Sequence, residues 1–463
     1  MFDRLLPKIG TGVFVTCSDD FLVYDIGDDH EKIQFAAQGF TALAHPSSLQ
    51  VGTGHGVYVI KDTAKIDPDI PLQEGSCHQV LQKPSIETMY AKNAVLSDLH
   101  KKFSVCDNDI VAYTDSSFFF SHDVTRKFLT FMESYGNLTC EVDAYGDFLQ
   151  ALGPGASDEY TSNTGNVSTI TPDLITTRQQ VFSLLKGTPL KLLLMNASKF
   201  VHIGTTQEYI NYFCCDSGFQ SELGLGKDVF NVWGKGPADM PGAGGEGQPM
   251  KRLRLSDTSE GCVMHSIIPH SSVISRTAVV EYCHFDIPVK VGQNSILSNL
   301  AFVERENCLQ DAGKCLDIPH NMFIHTIPVF DDDSQTKYVT VFFDIQDSLK
   351  KVSLVSDIKQ LNFLGSYVEQ YLKVVHLDLA VATPKGDTWK PNLWHARLFP
   401  LMPSPRESLT LTLDCIQAVK TDDSTLVSLA DKQVLSMADI LRKKDVNSML
   451  KKRNDLYKNI SAE

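Results

Sequence analysis

The sequence predicts an α/β region over residues 1–215, a linker or insertion over 216–260, a parallel β-helix over 261–330 and an α+β region over 331–463. Three observations predict it. Strand-like and helix-like segments alternate in the first region, a Gly/Pro-rich stretch interrupts the chain, and a six-residue apolar beat follows. At 463 residues the chain can fill several cores.

In the first region "GVFVTC", "GVYVI", "DIVAYT", "LKLLLMN" and "FVHIG" are rich in β-branched and aromatic residues and read as strands. "HDVTRKFLTFMESYG" and "TRQQVFSLLKG" repeat apolar residues at helical spacing. Each closes on glycine, which adopts a left-handed C-terminal cap without strain. Such alternation points to an α/β layer with a largely parallel sheet.

Residues 234–256, "GKGPADMPGAGGEGQPMKRLRLS", hold too little apolar surface for a core. Their "KRLR" suits a solvated charge run, a nuclear signal or a phosphate-binding patch. Beyond them Ile267, Val273, Val279, Phe285, Val291, Leu297, Val303 and Leu309 fall six residues apart. That beat is the period of a β-helix, in which each short strand turns one apolar side chain inward. An antiparallel meander whose strands share phase would give the same spacing. In residues 331–463 "KYVTVFFDI" reads as strand, and Ser436 with Asp439 forms a capping-box pattern opening a last helix toward residue 460.

Composition narrows the function. The formal charge of −14 argues against sequence-independent nucleic-acid binding, which needs a basic surface, but leaves room for a local phosphate site. No apolar run reaches membrane-spanning length, and "MFDRLLPKIG" does not resemble a secretory leader. Eleven cysteines without a CxxC pair suit reduced thiols and a cytoplasmic location.

Five places could carry chemistry. "GVFVTCSDD" ends on Asp19 and Asp20. Adjacent carboxylates at the C-terminal end of a strand repel unless a cation or strong donors compensate, and Mg²⁺ with substrate phosphates suits such a place. A solvated helix start, capped by Ser18 or Asp19, suits it equally. In "KFVHIGTTQEYINYF" His202 ends a strand just before the Thr205/Glu208 capping box, where it could ligate metal, meet a phosphate or serve structure alone. "CEVDAYGDFLQALGPG" offers Glu141 and Asp143 as acceptors for sugar hydroxyls, or Asp143 as a helix cap. "LQKPS" places Lys83 on extended backbone before proline, as a phosphate partner or a plain surface lysine. Gly52, Gly54 and Gly56 of "VGTGHGVYVI" precede a strand, which excludes a dinucleotide fingerprint but allows close approach of a ligand at Gly56.

Taken together, "VTCSDD", "GFTALAHPSSL", "GTGHGVYV", "KPSIETMY", "YTDSSFF", "CEVDAYGDFLQALGPGA", "SKFVHIGTTQEYINYF", "SDIKQLNFLG" and "LWHARLFP" resemble the fucose-1-phosphate guanylyltransferase (GDP-L-fucose pyrophosphorylase) family, in order and across nearly the whole chain. The resemblance implies a Rossmann-like, GT-A-type nucleotidyltransferase sheet followed by a left-handed β-helix. It implies formation of GDP-L-fucose and pyrophosphate from GTP and L-fucose 1-phosphate, with Mg²⁺. By it Asp20 or Asp19 holds the metal, Lys83 faces the sugar phosphate, Glu141 and Asp143 lie near the fucose hydroxyls, and His202 stands where many relatives carry a second metal-binding aspartate. Nothing in residues 1–18 resembles the family's Gly-rich nucleotide loop. Hence two expectations: the chain enters the domain at its metal-bearing strand, and it turns over poorly. The alternative is a catalytically impaired form that binds sugar phosphate or assembles with a complete copy, and the exposed sheet edge would favour a homo-oligomer. A third reading, a hexapeptide acyltransferase, would use His265, His270 or His284.

Overall fold

The computed structural model describes residues 9–26, 34–97, 103, 110–164, 167, 170–234, 260–303, 314–350, 357–383 and 391–462. Most of the stretch read as a linker, with its "KRLR", and Leu309 of the apolar beat lie outside them. The fold is mixed α/β, and the chain divides into two units, Met1–Gly204 and Thr205–Glu463.

The strands of the first unit are β1 (Gly12–Val15), β2 (Asp20–Tyr24), β3 (Phe40–Ser48), β4 (Gly56–Ile60), β5 (Leu72–Gln82), β6 (Val95–Leu96), β7 (Val111–Ser121), β8 (Leu190–Met195) and β9 (Ser198–His202). β7 pairs with β3, β3 with β8, β8 with β5 and β5 with β4, and β4 returns to β7, so these strands close into a barrel-like sheet. β7 is buried at every position and β3 at all but its last, which is why neither shows the apolar–polar alternation of a half-buried strand. Within this ring only β3–β8 is parallel. The expected largely parallel sheet is therefore corrected to a mostly antiparallel one. Parallel neighbours need a crossover of a dozen residues or more, usually helical. Here both long helices, His122–Tyr135 and Leu174–Leu185, fall between β7 and β8, and β5 and β6 are joined through the short helix Ile86–Ala91.

β2 and β9 form a separate antiparallel ribbon. His45 on β3 ties it to the ring: its Nδ1 lies 2.6 Å from Ser198 Oγ on β9 and its Nε2 2.6 Å from Ser116 Oγ on β7. Burial holds the imidazole neutral, lowering its pKa to about 3. An unfolded histidine titrates near 6.5, so the stability this group contributes is complete above that pH and falls as pH drops toward 3. His45→Gln is expected to remove about 2 kcal/mol of the stability lost between pH 7.5 and 5, measured by urea unfolding at the two pH values.

In the second unit parallel pairs recur in three ladders. Cys262–Met264, Val279–Glu281, Ile296–Ser298 and Met322–Phe330 form the first; Ile267–Pro269, His284–Phe285 and Ala301–Phe302 the second; Val273–Ile274, Val289–Val291 and Leu316–Ile318 the third. The earlier turns step by 17 residues and the last, onto Leu316–Ile318 and Met322–Phe330, by 27. Corner hydroxyls bind them: Ser266 Oγ accepts from Cys283 N–H, Ser272 Oγ from Val289 N–H and Thr277 Oγ1 from Asn294 N–H. The interior is filled by Val263, Ile268, Ile274, Val280, Phe285, Val291, Leu297 and Phe302. The strict six-residue beat is corrected to a repeat of five, six and six, because one corner of each turn is a residue shorter. Phe285, Val291 and Leu297 keep the expected phase, whereas Val273 and Val303 point outward, 38% and 40% exposed.

Met322–Phe330 then turns from parallel pairing into an antiparallel hairpin with Thr336–Asp344, extended by Phe399–Met402 and Val434–Leu435. The Ser436–Asp439 capping box forms as the sequence indicates. The last helix is nonetheless two helices, Met437–Lys443 and Val446–Ala462. Lys444 takes extended backbone and bridges Val329, and Asp445 starts again by accepting from Ser448 N–H.

Candidate active site

The first predicted strand ends at Val15, and the turn after it delivers Asp19 and Asp20 to the mouth of the β2–β9 ribbon. Asp20 opens β2 opposite His202, so the two side chains are cross-strand neighbours. A strand, not a helix, follows the double aspartate, which removes the helix-cap reading. Asp19 Oδ2 lies 3.5 Å from His202 Nε2, and the Asp19 carbonyl accepts from Ile203 N–H at 2.8 Å. Ligand atoms of Cys17, Asp19 and Asp20 lie within 4.8 Å of one another.

A further carboxylate completes the group, and sequence reasoning missed it. Asp115 sits in β7 beside a bulge, where the β3 register shifts between Ala42 and Ala44. Bulges re-aim side chains in this way. Its Oδ1 accepts from Gly56 N–H at 2.9 Å, while its Oδ2 is buried without a hydrogen-bond partner. Asp20 Oδ1 is likewise buried without one. Gly56 faces the carboxylate so closely that a Cβ would overlap Asp115 Oδ2. Gly56→Ala is therefore expected to displace Asp115 and cost about 1–3 kcal/mol, checked by denaturant midpoint.

Burial first, and neighbouring charge second, raises the pKa values of the carboxylates. Burial pushes Asp115 up to about 7, against the Gly56 N–H, and the charges of Asp20 and Asp143 push it further. Burial likewise raises Asp20 to about 6; the Cys17 thiol hydrogen bond and His202 act against it, and Asp19 adds to it. Burial drives Cys17 up to about 12, so it stays a thiol at neutral pH.

Asp143 enters through a clamped loop. Its carboxylate accepts from Tyr145 N–H at 2.9 Å, and its own N–H donates to Asp147 Oδ2 at 2.8 Å. Asp147 is paired with Arg178 of helix Leu174–Leu185, Nε to Oδ1 at 3.0 Å, with both side chains buried. Tyr145 spans the loop and the ring by donating its hydroxyl to Ser116 O at 2.5 Å. Glu141, two residues ahead of Asp143, is exposed. Lys83 is exposed as well, with left-handed backbone (φ 48°) rather than the extended form expected before proline. Its N–H donates to His55 O, and the His55 ring lies 5.1 Å from that of His202. Among the described residues no ion pair joins Lys83 to the carboxylates.

The structure thus gathers Asp19, Asp20, His202, Gly56, Asp115 and Asp143, and leaves the side chains of Lys83 and Glu141 exposed at the surface. The donor set suits a hard divalent cation. It offers carboxylate oxygens, two of them buried and without a partner, and its one thiol stays protonated.

Comparison with known proteins gives the family. The family model described as "Fucose pyrophosphorylase domain" matches residues 1–404. The chain belongs to the fucose pyrophosphorylase family. It is similar to the fucose-1-phosphate guanylyltransferase of Homo sapiens, with 38% identity over 472 residues, covering 98% of this chain and 72% of that protein. It is equally similar to the Mus musculus protein of the same name, 38% identical over 461 residues, 97% of this chain and 72% of the other. The match spans both structural units. Among the described residues no helix is long and apolar enough to cross a membrane.

Proposed function

We propose that this chain transfers the guanylyl group of GTP to L-fucose 1-phosphate, giving GDP-L-fucose and pyrophosphate in the salvage of free fucose. The observation that carries this reading is 38% identity across 98% of the chain to a protein named fucose-1-phosphate guanylyltransferase. An oxygen of the sugar phosphate attacks the α-phosphorus of GTP while the bond to pyrophosphate breaks. The nucleophile is already an anion, so positioning and charge neutralisation supply the catalysis, and no strong base is needed.

Asp19 and Asp20 are the residues that would hold Mg²⁺, which supplies Lewis-acid charge to the phosphate oxygens when bound. His202, 3.5 Å from Asp19, orients that carboxylate and could complete the metal set. Asp143, fixed through Asp147 and Arg178, accepts from fucose hydroxyls together with Glu141. Lys83 answers the sugar phosphate from the His55 turn. Gly56 keeps backbone close to Asp115. In fold terms we read residues 1–215 as a Rossmann-like, GT-A-type nucleotidyltransferase domain. Residues 261–330 we read as a left-handed parallel β-helix, with three parallel ladders, stepping by 17 residues before a last step of 27, as support. A cytoplasmic location suits the free cysteines among the described residues.

The test is chromatographic. The full chain with GTP, fucose 1-phosphate and Mg²⁺ should yield GDP-L-fucose and pyrophosphate in equal amounts, and far less nucleotide sugar with ATP. A folded chain that binds fucose 1-phosphate by calorimetry yet forms no product would reject the transferase reading.

A further inference from the structure

The second unit contains a cleft that the transfer reaction does not use. It has a volume of about 420 Å³, within the range of small-molecule sites. One wall is a corner of the parallel ladders, with His284, Asn299 and Ala301; the floor includes Thr326 and Tyr338; the other wall is the C-terminal helix, with Lys451 and Lys452. Pro405, the first residue of the 17-residue helix Pro405–Thr421, closes one end.

Two independent features give this cleft the character of a ligand site. The first is charge. Lys451 and Lys452 both line it, in a chain of net charge −14, and Asp455 is the one carboxylate in its lining. Lys452 Nζ donates to the Asn299 carbonyl at 2.5 Å, and burial lowers its pKa to about 8. The second feature is an unsatisfied acceptor in the cleft wall. Asn299 is 1% exposed and its Nδ2 donates to Thr326 O at 2.7 Å, but its Oδ1 is buried with no hydrogen-bond partner. Asn299 also has left-handed backbone (φ 56°), as do Tyr282 and His265 at the equivalent corners of the two preceding turns.

We propose that this cleft binds a small phosphorylated metabolite carrying hydroxyl or amino donors, a sugar phosphate or a nucleotide, as a second site separate from the carboxylate centre. Its phosphate is met by Lys451 and Lys452, and a hydroxyl or amino hydrogen is taken by Asn299 Oδ1.

Hydrogen–deuterium exchange on the full chain tests this, with GDP, fucose 1-phosphate and inorganic phosphate as separate probes in EDTA. At least one organic probe is expected to protect residues 446–462 and 296–302, and inorganic phosphate to do so more weakly. Which organic probe protects identifies the source of the phosphate. Lys452→Gln should weaken that protection about tenfold in probe concentration, and Lys452→Arg should retain it. Protection by no probe, protection confined to residues 12–24 and 198–204, or equal protection in Lys452→Gln would overturn the proposal. Since exchange is read on the wild-type chain, a variant that fails to fold leaves the test intact. Loss of guanylyl transfer alone would leave it untouched, because the readout is binding in the second unit.

Discussion

Asp20→Asn should lower kcat/KM for guanylyl transfer by roughly 10²–10⁴ while leaving the fold intact. The side chain opens β2 opposite His202 and beside Asp19, and its Oδ1 is a buried oxygen with no protein partner. An amide of the same shape keeps the packing but removes the charge that would hold a cation. Asp19→Asn should lose less, because Asp19 already has His202 at 3.5 Å and is the more exposed of the two. Steady-state kinetics with GTP and fucose 1-phosphate, alongside a thermal melt, separates lost chemistry from lost structure. Activity within a factor of about three of wild type would remove Asp20 from the mechanism.

Arg178→Met has the second large effect, and it acts on stability. Arg178 and Asp147 form an ion pair with side chains 0% and 1% exposed, and Asp147 also accepts from the Asp143 N–H. Removing one partner strands a buried charge at a cost of about 3–5 kcal/mol. In a unit of this size that lowers the melting temperature by roughly 10 °C. Arg178→Met combined with Asp147→Leu should recover much of the loss, because an apolar pair of similar volume no longer buries a charge. It should not recover the site: with Asp143 released, KM for fucose 1-phosphate should rise in both variants. If the single replacement melts as wild type does, the clamp is not what holds this loop.

Local features were legible in the sequence. The capping boxes at Thr205/Glu208 and Ser436/Asp439 are short-range chemistry and form as written. The apolar runs located β4, β7, β8 and β9. The glycines after both long helices have positive φ, but Gly136, with ψ −147°, lies outside the left-handed helical cap expected there, and Lys186 rather than Gly187 caps the second helix. Strand partners were not legible, because pairing of β4 with β7 and of β2 with β9 is set by contacts far apart in the chain. The same holds for Asp115. In "VAYTDSSFFFS" it is a lone carboxylate in an otherwise buried run, and that mismatch was the available signal. Arg178 left a clearer trace, since it falls with Leu174, Thr177, Val181, Phe182 and Leu185 on the buried face of its helix. A charge on an apolar face needs a buried partner.

The carboxylate centre is tested most directly by titrating Mn²⁺ against the full chain and its Asp20→Asn form, reading free Mn²⁺ by electron paramagnetic resonance. One site per wild-type chain, weakened at least about tenfold in the variant, is the outcome this account requires. Identical titration curves for the two proteins would contradict it.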